Sequence, residues 1–517
     1  MDLLDGLAAL GPGQVALLVG ALAIAFGFEV INGFHDTANA VATVIYTKSL
    51  KPTPAVVWSG IWNFIGVHAG GIAVAFSIVH LLPVDLLVNI HTARGLAMVF
   101  ALLIAAITWN FATWYRGLPA SSSHALVGSI MGVGMMNAWL EQGSPFRGLN
   151  WHKVAEVMMA LVLSPLVGFG LAAGLLLLCR ALVRSPRLYA APEGDTPPPW
   201  WVRLLLVGTC TGVSFAHGSN DGQKGMGLIM LVLIGTVPAT YAVNLRAGSG
   251  EIVAAAAAAR ALEAELQEPQ LAALIAAQRD EHLARVREER RPRSSAFAAD
   301  ASMEYGLAHD VVDRLEGRDP VLATLDPLPL ARAVGAALDG RTDFRDLVGD
   351  SRWALRTQLV ELGTSVRTLV RRFGDQLGED RRKVLSALVR RVSRPVEYVP
   401  GWVTWGVALC LGLGTMVGWQ RIVVTVGEKI GKAHLTYAQG AVAEAVAAGT
   451  IGLADGFGMP VSTTHVLSSG IAGTMWAGRS GIQGGTARGI ALAWILTLPA
   501  TMLLAALLYL AAAVVTG

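Results

Sequence analysis

Charge is what this chain has least of. Lys, Arg, Asp and Glu make up 15% of its 517 residues against 53% hydrophobic ones, and its mean hydropathy is +0.52, which excludes an ordinary soluble domain of this length. Cysteine is nearly absent. Cys179, Cys210 and Cys410 are scattered without metal-ligand spacing, each at or inside an apolar run, and read as packing residues. There is no GxxxxGK[ST] phosphate loop, no HExxH pair and no carboxylate cluster outside the 243–400 region. The usual starting points for a phosphate-handling enzyme, a nucleophile with its base or a metal site, are therefore missing. No positively charged segment precedes the first apolar run, Gln14 to Phe28, and no small-residue cleavage site followed by soluble sequence comes after it. That run is expected to stay as a membrane span.

What the chain has in quantity is apolar helix. Segments expected at about 13–33 continuing to 47, 54–80, 95–115, 119–140, 153–182, 202–242, 402–420, 435–454, 460–478 and 486–514 reach the roughly 20 residues that cross a hydrocarbon core of about 30 Å. The fold class this predicts is an all-α polytopic membrane protein with about ten spans. With the N-terminus outside, the short inner connections collect Lys48, Lys51, Arg116, Arg180, Arg184, Arg187, Arg203, Arg421, Lys429, Lys432, Arg479 and Arg488. The short outer ones hold Arg94, Arg147 and Lys153, as the positive-inside bias requires. Between 243 and 400 the chain turns rich in Arg, Glu and Asp, with Ala and Leu at helical spacing, and reads as a soluble helical insert. The organisation is then 1–182 as a first membrane repeat, 183–201 as a linker, 202–242 as the start of a second repeat, 243–400 as the insert and 401–517 as the rest of the second repeat.

The repeat itself is written in two pairs of motifs. Asn32-Gly-Phe-His-Asp-Thr-Ala-Asn39 aligns with His217-Gly-Ser-Asn-Asp-Gly-Gln-Lys224, so that Gly33 meets Gly218 and Asp36 meets Asp221. Leu118-Pro-Ala-Ser-Ser-Ser-His124 aligns with Met459-Pro-Val-Ser-Thr-Thr-His465. Five segments in each half is an odd number, so the second half starts from the opposite side of the membrane and the repeats are expected to be inverted. Transporters built this way bind substrate and coupling ion near the bilayer midplane, on interrupted helices.

Segments 13–47 and 202–243 are too long for one simple span at 1.5 Å per residue, so a break is expected at Gly33 to Asn39 and at Gly218 to Lys224. Asp36 and Asp221 are then intramembrane carboxylates, costly unless paired or protonated, and such residues mark ion pathways by default. Read singly, each is as easily a structural carboxylate; as a matched pair they point to function. The hydroxyl triplets Ser121 to Ser123 and Ser462 to Thr464, each two residues after a proline, suit the first turn of a helix, where free N–H groups and hydroxyls can cradle an oxyanion. A lone triplet more often bonds back to helix carbonyls. His124 and His465 either carry protons or orient the triplets. Lys224 either attracts an anion, pairs with Asp221 or snorkels. Glu444, Asn63 and Gln439 are further polar residues inside spans.

Four stretches, NGFHDTANAVA (Asn32 to Ala42), LPASSSH (Leu118 to His124), AHGSNDGQKGMG (Ala216 to Gly227) and MPVSTTHVLS (Met459 to Ser468), resemble the PiT family of inorganic phosphate transporters, in particular its bacterial low-affinity Pit branch. The resemblance spans both membrane halves. It implies a multi-pass protein of the bacterial inner membrane that takes up inorganic phosphate by symport, driven by a cation gradient. Phosphate would lie at the hydroxyl triplets with Asn39 and Gln223, and the cation at Asp36, Asp221, His35, Asn220, Asn32 and His217. Bacterial Pit members are similar in using protons and in carrying phosphate largely as a neutral complex with a divalent cation such as Mg2+; sodium coupling belongs to other branches. The partners implied are phosphate, that cation, the bilayer and a second copy in a homodimer, with no cofactor and no nucleic acid. The chain departs from the commoner pattern in having His35 where many members have Asn, and Gln223-Lys224 in place of Ala-Asn. The first change speaks against a sodium site of standard form. Glu444 matches a glutamate of eukaryotic members. A carrier for another tetrahedral oxyanion such as sulfate, a membrane phosphatase or phosphotransferase, and a channel are the competing readings.

Overall fold

The computed structural model describes residues 10–36, 38–82, 92–147, 149, 151–289 and 325–516, and they divide into two compact units, Met1–Val237 with Val399–Gly517, and Pro238–Tyr398.

The first unit opens with α1, Pro12–Asp36, and α2, Ala38–Tyr46, followed by α3, Pro52–Ala69, and α4, Ala73–Val79. Pro52 opens α3 where a missing N–H costs nothing. The α3–α4 pair is bent by 79° across Gly70 and Gly71. Next come α5, Ala93–Tyr115, capped by the Thr92 side chain; α6, Ser122–Gln142, ended by Gly143 in the left-handed region at φ 65°; α7, Trp151–Leu182, with Pro165 inside; and α8, Trp200–Thr236.

The second unit is made of α9, Ser249–Gln267; α10, Pro269–Glu289; α11, Pro327–Leu338; α12, Gly349–Arg372; and α13, Glu379–Ser393. Each helix presents an apolar stripe to a core that includes Ile252, Leu262, Leu359, Leu362 and Leu385. This core belongs to the unit alone.

The first unit resumes with α14, Gly401–Thr415, and α15, Gln420–Glu428, bent from each other by 65° near Gly418 at φ 71°. Then follow α16, Tyr437–Gly456, started by a Thr436/Gln439 capping box; α17, Thr463–Ala477; and α18, Gly484–Thr516, with Pro499 inside.

One order of elements occurs twice: a long helix region bearing the Asp motif, a bent pair, a helix, a helix opened by a hydroxyl triplet, and a long helix with an internal proline. Packing repeats it as well: α8 lies on α3 as α1 lies on α14, and α6 lies on α18 as α17 lies on α7. The matched glycines show why the motifs need them. A Cβ on Gly33 would sit 2.4 Å from the Leu411 carbonyl oxygen and one on Gly218 2.1 Å from that of Asn63, so each Asp-bearing helix touches its bent partner backbone to backbone.

One expectation is corrected. The break at Gly218 to Lys224 is absent: α8 runs unbroken for 37 residues, about 55 Å. Its polar side chains bond within the helix, as Lys224 does to Asp221, and to neighbouring segments, as Ser219 does to Asp455 and Asn220 to the Met459 carbonyl, without opening its backbone. The sharp bends fall in the bent pairs instead. In the first motif, α1 and α2 flank residue 37, which lies outside the described residues. Among the described residues, four helices are long and apolar enough to cross a membrane, spanning Pro12–Tyr46, Ala93–Tyr115, Lys153–Leu182 and Gly484–Val515, or six with the bent pairs. The other expected segments fall short of that measure because α17 is only 15 residues long and α6, α8 and α16 hold polar groups in their interiors.

Candidate functional site

The two triplets open α6 and α17 in the same way. Ser121 and Ser462 are the N-caps, their hydroxyl oxygens accepting from the amides of His124 at 3.1 Å and His465 at 3.2 Å. Pro119 and Pro460 therefore precede the caps and lie outside the first helical turn, contrary to expectation, because each helix starts only where a side chain caps it.

Capping by the first hydroxyl leaves the others to reach outward. Ser122 Oγ donates to Asp36 Oδ2 at 2.9 Å, and Thr464 Oγ1 donates to Asp36 Oδ1 at 2.7 Å. One carboxylate thus takes a hydroxyl from each triplet. Ser123 Oγ donates to the Val461 carbonyl at 3.0 Å and accepts from Lys224 Nζ at 2.6 Å. Thr463 is buried in the same turn as Thr464.

The second carboxylate is held by α8. Lys224 Nζ donates to Asp221 Oδ1 at 2.6 Å and to the Val461 carbonyl at 3.1 Å. Of the three readings of Lys224, pairing is what the structure shows; at 2% exposure it does not snorkel. His217, one turn before Asp221, donates Nδ1–H to Asn63 Oδ1 at 2.7 Å. That bond turns Nε2 toward both carboxylates, 3.4 Å from Asp221 Oδ2 and 3.8 Å from Asp36 Oδ2. His35 lies on the far side of Asp36, Nδ1 3.1 Å from Oδ1 and Nε2 3.2 Å from Thr113 Oγ1.

Asp36, His217 and Asp221 bring one ligand atom each to within 4.8 Å of one another. With both nitrogens protonated, the imidazole bridges the two carboxylates; with Nε2 bare, the same three groups offer a lone pair and two carboxylates to a cation. No ligand spacing announced this set, since two of its members are far from the third in sequence.

The other expected site residues have partners of their own or stand unpartnered. Gln223 accepts from the Val74 amide at 2.9 Å, at the start of α4, and donates to Asp455 Oδ1 at 2.5 Å; no bond joins it to a triplet hydroxyl among the described residues. Asn220 Nδ2 donates to the Met459 carbonyl at 3.3 Å. Asn32 is buried with its side-chain oxygen unpartnered. The side chain of Asn39 lies outside the described residues. Glu444 accepts from Thr43 and, at 2.5 Å, from Thr209, making a separate buried carboxylate site. The His124 and His465 rings meet tilted with centroids 4.5 Å apart, and His465 meets Trp494, also tilted, at 4.0 Å. Their backbone amides donate to the Ser121 and Ser462 caps, and their rings face each other.

Sequence reasoning named Asn63 only as a polar candidate inside a span and did not single out Thr113, Asp455 or Glu29. Glu29 had a readable signal, standing seven residues before Asp36 and so two turns away on the same face. Thr113 had none.

A bundle of apolar helices that buries two motif-matched aspartates, a lysine, histidines and two hydroxyl-capped helix starts is built as a membrane transporter for a small charged solute. The chain belongs to the phosphate transporter family, whose model matches residues 32–505, and it is a phosphate transporter, not an enzyme. It is 42% identical to the low-affinity inorganic phosphate transporter PitA of Escherichia coli (strain K12) over 503 residues, 95% of this chain and 96% of that protein. It is 41% identical to PitB of the same strain over 505 residues, 95% and 96%, and 40% identical to the low-affinity inorganic phosphate transporter of Buchnera aphidicola subsp. Acyrthosiphon pisum over 499 residues, 95% of each. Among solved structures, "The sodium-dependent phosphate transporter" shares its fold, with a TM-score of 0.50 at 19% identity, covering 97% of this chain and 100% of that one.

Proposed function

We propose that this chain takes up phosphate across the bacterial inner membrane by proton-coupled symport, largely as a complex with a divalent cation such as Mg2+, through alternating access of two inverted five-span repeats. Phosphate is held by Ser122 and Thr464, with Ser123 and Thr463 beside them, at the N-termini of α6 and α17 that Ser121 and Ser462 cap. The accompanying cation is handled by Asp36, His217 and Asp221, with His35, Asn32 and Asn220 around them. The observation that carries this reading is the Asp36 carboxylate itself, whose two oxygens accept Ser122 and Thr464. An oxyanion already sits between two helix N-termini, where backbone donors and dipoles favour negative charge. Uptake of labelled phosphate into proteoliposomes, with proton, sodium and magnesium gradients imposed one at a time, tests it. An inward proton gradient and added magnesium should each raise uptake, and a response to sodium alone would overturn the coupling.

The same reading places the N-terminus, the C-terminus and the insert from Val243 to Pro400 in the periplasm, because the Lys and Arg of the short connections then gather inside. A single cysteine at Val348, 74% exposed, in a chain with Cys179, Cys210 and Cys410 replaced, should react with an impermeant thiol reagent in intact cells. Labelling only after the inner membrane is opened would show a miscounted span.

A further inference from the structure

Ser122 and Thr464 come from helices in opposite halves of the chain, yet both reach the single carboxylate of Asp36, at 2.9 and 2.7 Å. One small anion can meet both only if the starts of α6 and α17 are held at a fixed separation. The first turn of a helix is its least tethered part, because its N–H groups have no partner within the helix. The backbone contact that steadies α6 lies further along it, where the Leu498 and Met502 carbonyls of α18 leave no room for a Cβ on Gly128 or Gly132. One turn earlier, four residues back on both helices, stand His124 and Trp494. There the half-buried Trp494 engages both halves at once. Its Nε1–H donates to the Pro119 carbonyl at 3.0 Å, just before the Ser121 cap, and its ring meets His465 with centroids 4.0 Å apart, tilted by 33°. His465 in turn meets His124 at 4.5 Å, tilted by 40°. Each histidine is the residue whose amide donates to the cap of its own triplet.

We propose that Trp494, His465 and His124 are positioning residues that clasp the two triplets at the separation phosphate requires. The proposal rests on the reading of the triplets as the phosphate site. A tryptophan side chain is a large rigid plate with one polar handle, and here both the plate and the handle are engaged. Any slide of one triplet past the other must break the bond to Pro119 or the contact with His465. The hydroxyls cannot keep that spacing themselves. Ser121 and Ser462 are committed to capping, while Ser122 and Thr464 must let go of Asp36 when phosphate enters. The separation is therefore kept by rings that do not touch the anion. The clasp is also single. Trp494 stands five residues before Pro499, whereas five residues before Pro165, in the matching helix α7, stands Ala160. Duplicated motifs supply the two sets of donors, and one unduplicated ring ties them together.

The test measures KM and kcat for phosphate uptake in proteoliposomes of wild type, Trp494→Leu, Trp494→Phe, Ser122→Ala and the double variant Trp494→Leu/Ser122→Ala. Trp494→Leu removes both the ring contact and the bond to Pro119, and should raise KM about fivefold with kcat near wild type. Trp494→Phe keeps a ring against His465 and should recover part of that loss. Ser122→Ala alone should raise KM about tenfold. Independent effects would multiply to about fiftyfold, whereas a clasp that acts through Ser122 leaves the double variant well short of that product. If Trp494→Leu does not accumulate in the membrane, Trp494→Phe combined with Ser122→Ala makes the same comparison. A wild-type KM in Trp494→Leu, or a double variant at the full product, would overturn the clasp and leave the triplets standing as the phosphate site. A wild-type KM in Ser122→Ala would overturn the triplet reading and the clasp with it. A fall in kcat alone would make Trp494 a packing residue.

Discussion

Replacing Asp36 by Asn should bring gradient-driven phosphate uptake to background while the protein still accumulates in the membrane. Asparagine keeps the shape of the side chain, so the packing of α1 is unchanged. It replaces one acceptor oxygen by a donor nitrogen, though, and Ser122 and Thr464 both need an acceptor there. It also removes the negative charge facing His217. Hydrogen bonds to a charged group are worth about 1.5 to 3 kcal/mol each, and turning an acceptor into a donor makes one hydroxyl reverse from donor to acceptor while both lose their charged partner. The cation site loses one of its two carboxylates by the same change. Uptake of labelled phosphate per unit of membrane-embedded protein measures the effect, and a wild-type rate in the variant would refute the role given to this residue.

Removing the hydroxyls that bond Asp36 should act on affinity. Under the proposed function, Ser122 and Thr464 pass from Asp36 to phosphate when substrate binds, so each alanine variant forfeits a bond of about 0.5 to 1.5 kcal/mol, or about 1.5 to 3 if charge-assisted. Because about 1.4 kcal/mol is tenfold in affinity, Ser122→Ala and Thr464→Ala should each raise KM roughly tenfold, with the response to the proton gradient retained. The cap residues give a contrast. Ser121→Ala and Ser462→Ala remove N-caps worth about 0.5 to 2 kcal/mol and should lower the thermal midpoint of the purified protein more than they change KM. Initial rates across a range of phosphate concentrations separate the two classes. If Ser122→Ala and Thr464→Ala kept KM and changed only the proton response, anion and cation roles would have to be exchanged.

Much of this was legible in the sequence, and the parts that were not share a cause. Motif order and spacing gave the duplicated architecture, since two chains of similar residues in similar order fold into similar elements. Alignment pairs Ser122 with Thr463, yet the structure sets Thr464 against Asp36: a single carboxylate lies between two helix ends, so the two triplets meet it from different directions. The break expected at Gly218 to Lys224 failed because length alone was used to place it. Glycine there serves close approach to α3, and the sharp bends lie at the Gly70–Gly71 and Gly418 regions. Asn63 became meaningful only once α3 lay on α8, where it fixes which nitrogen of His217 faces the aspartates. Pairings across distant segments cannot be read from spacing.

Under the proposed function, the placement of Asp36 between Ser122 and Thr464 makes the side chain an internal competitor of the substrate. An anion entering there finds its donors engaged, and its apparent affinity is reduced by the fraction of molecules in which Asp36 has let go. Anything that neutralises Asp36, a proton or a metal ion, loosens that grip and so tightens anion binding. Linkage makes the effect mutual: an anion that displaces Asp36 leaves a carboxylate seeking a cation, and raises cation affinity by the same factor. Obligatory co-loading of the two solutes would then follow from one side chain being unable to serve both, with no signal passing between separate sites.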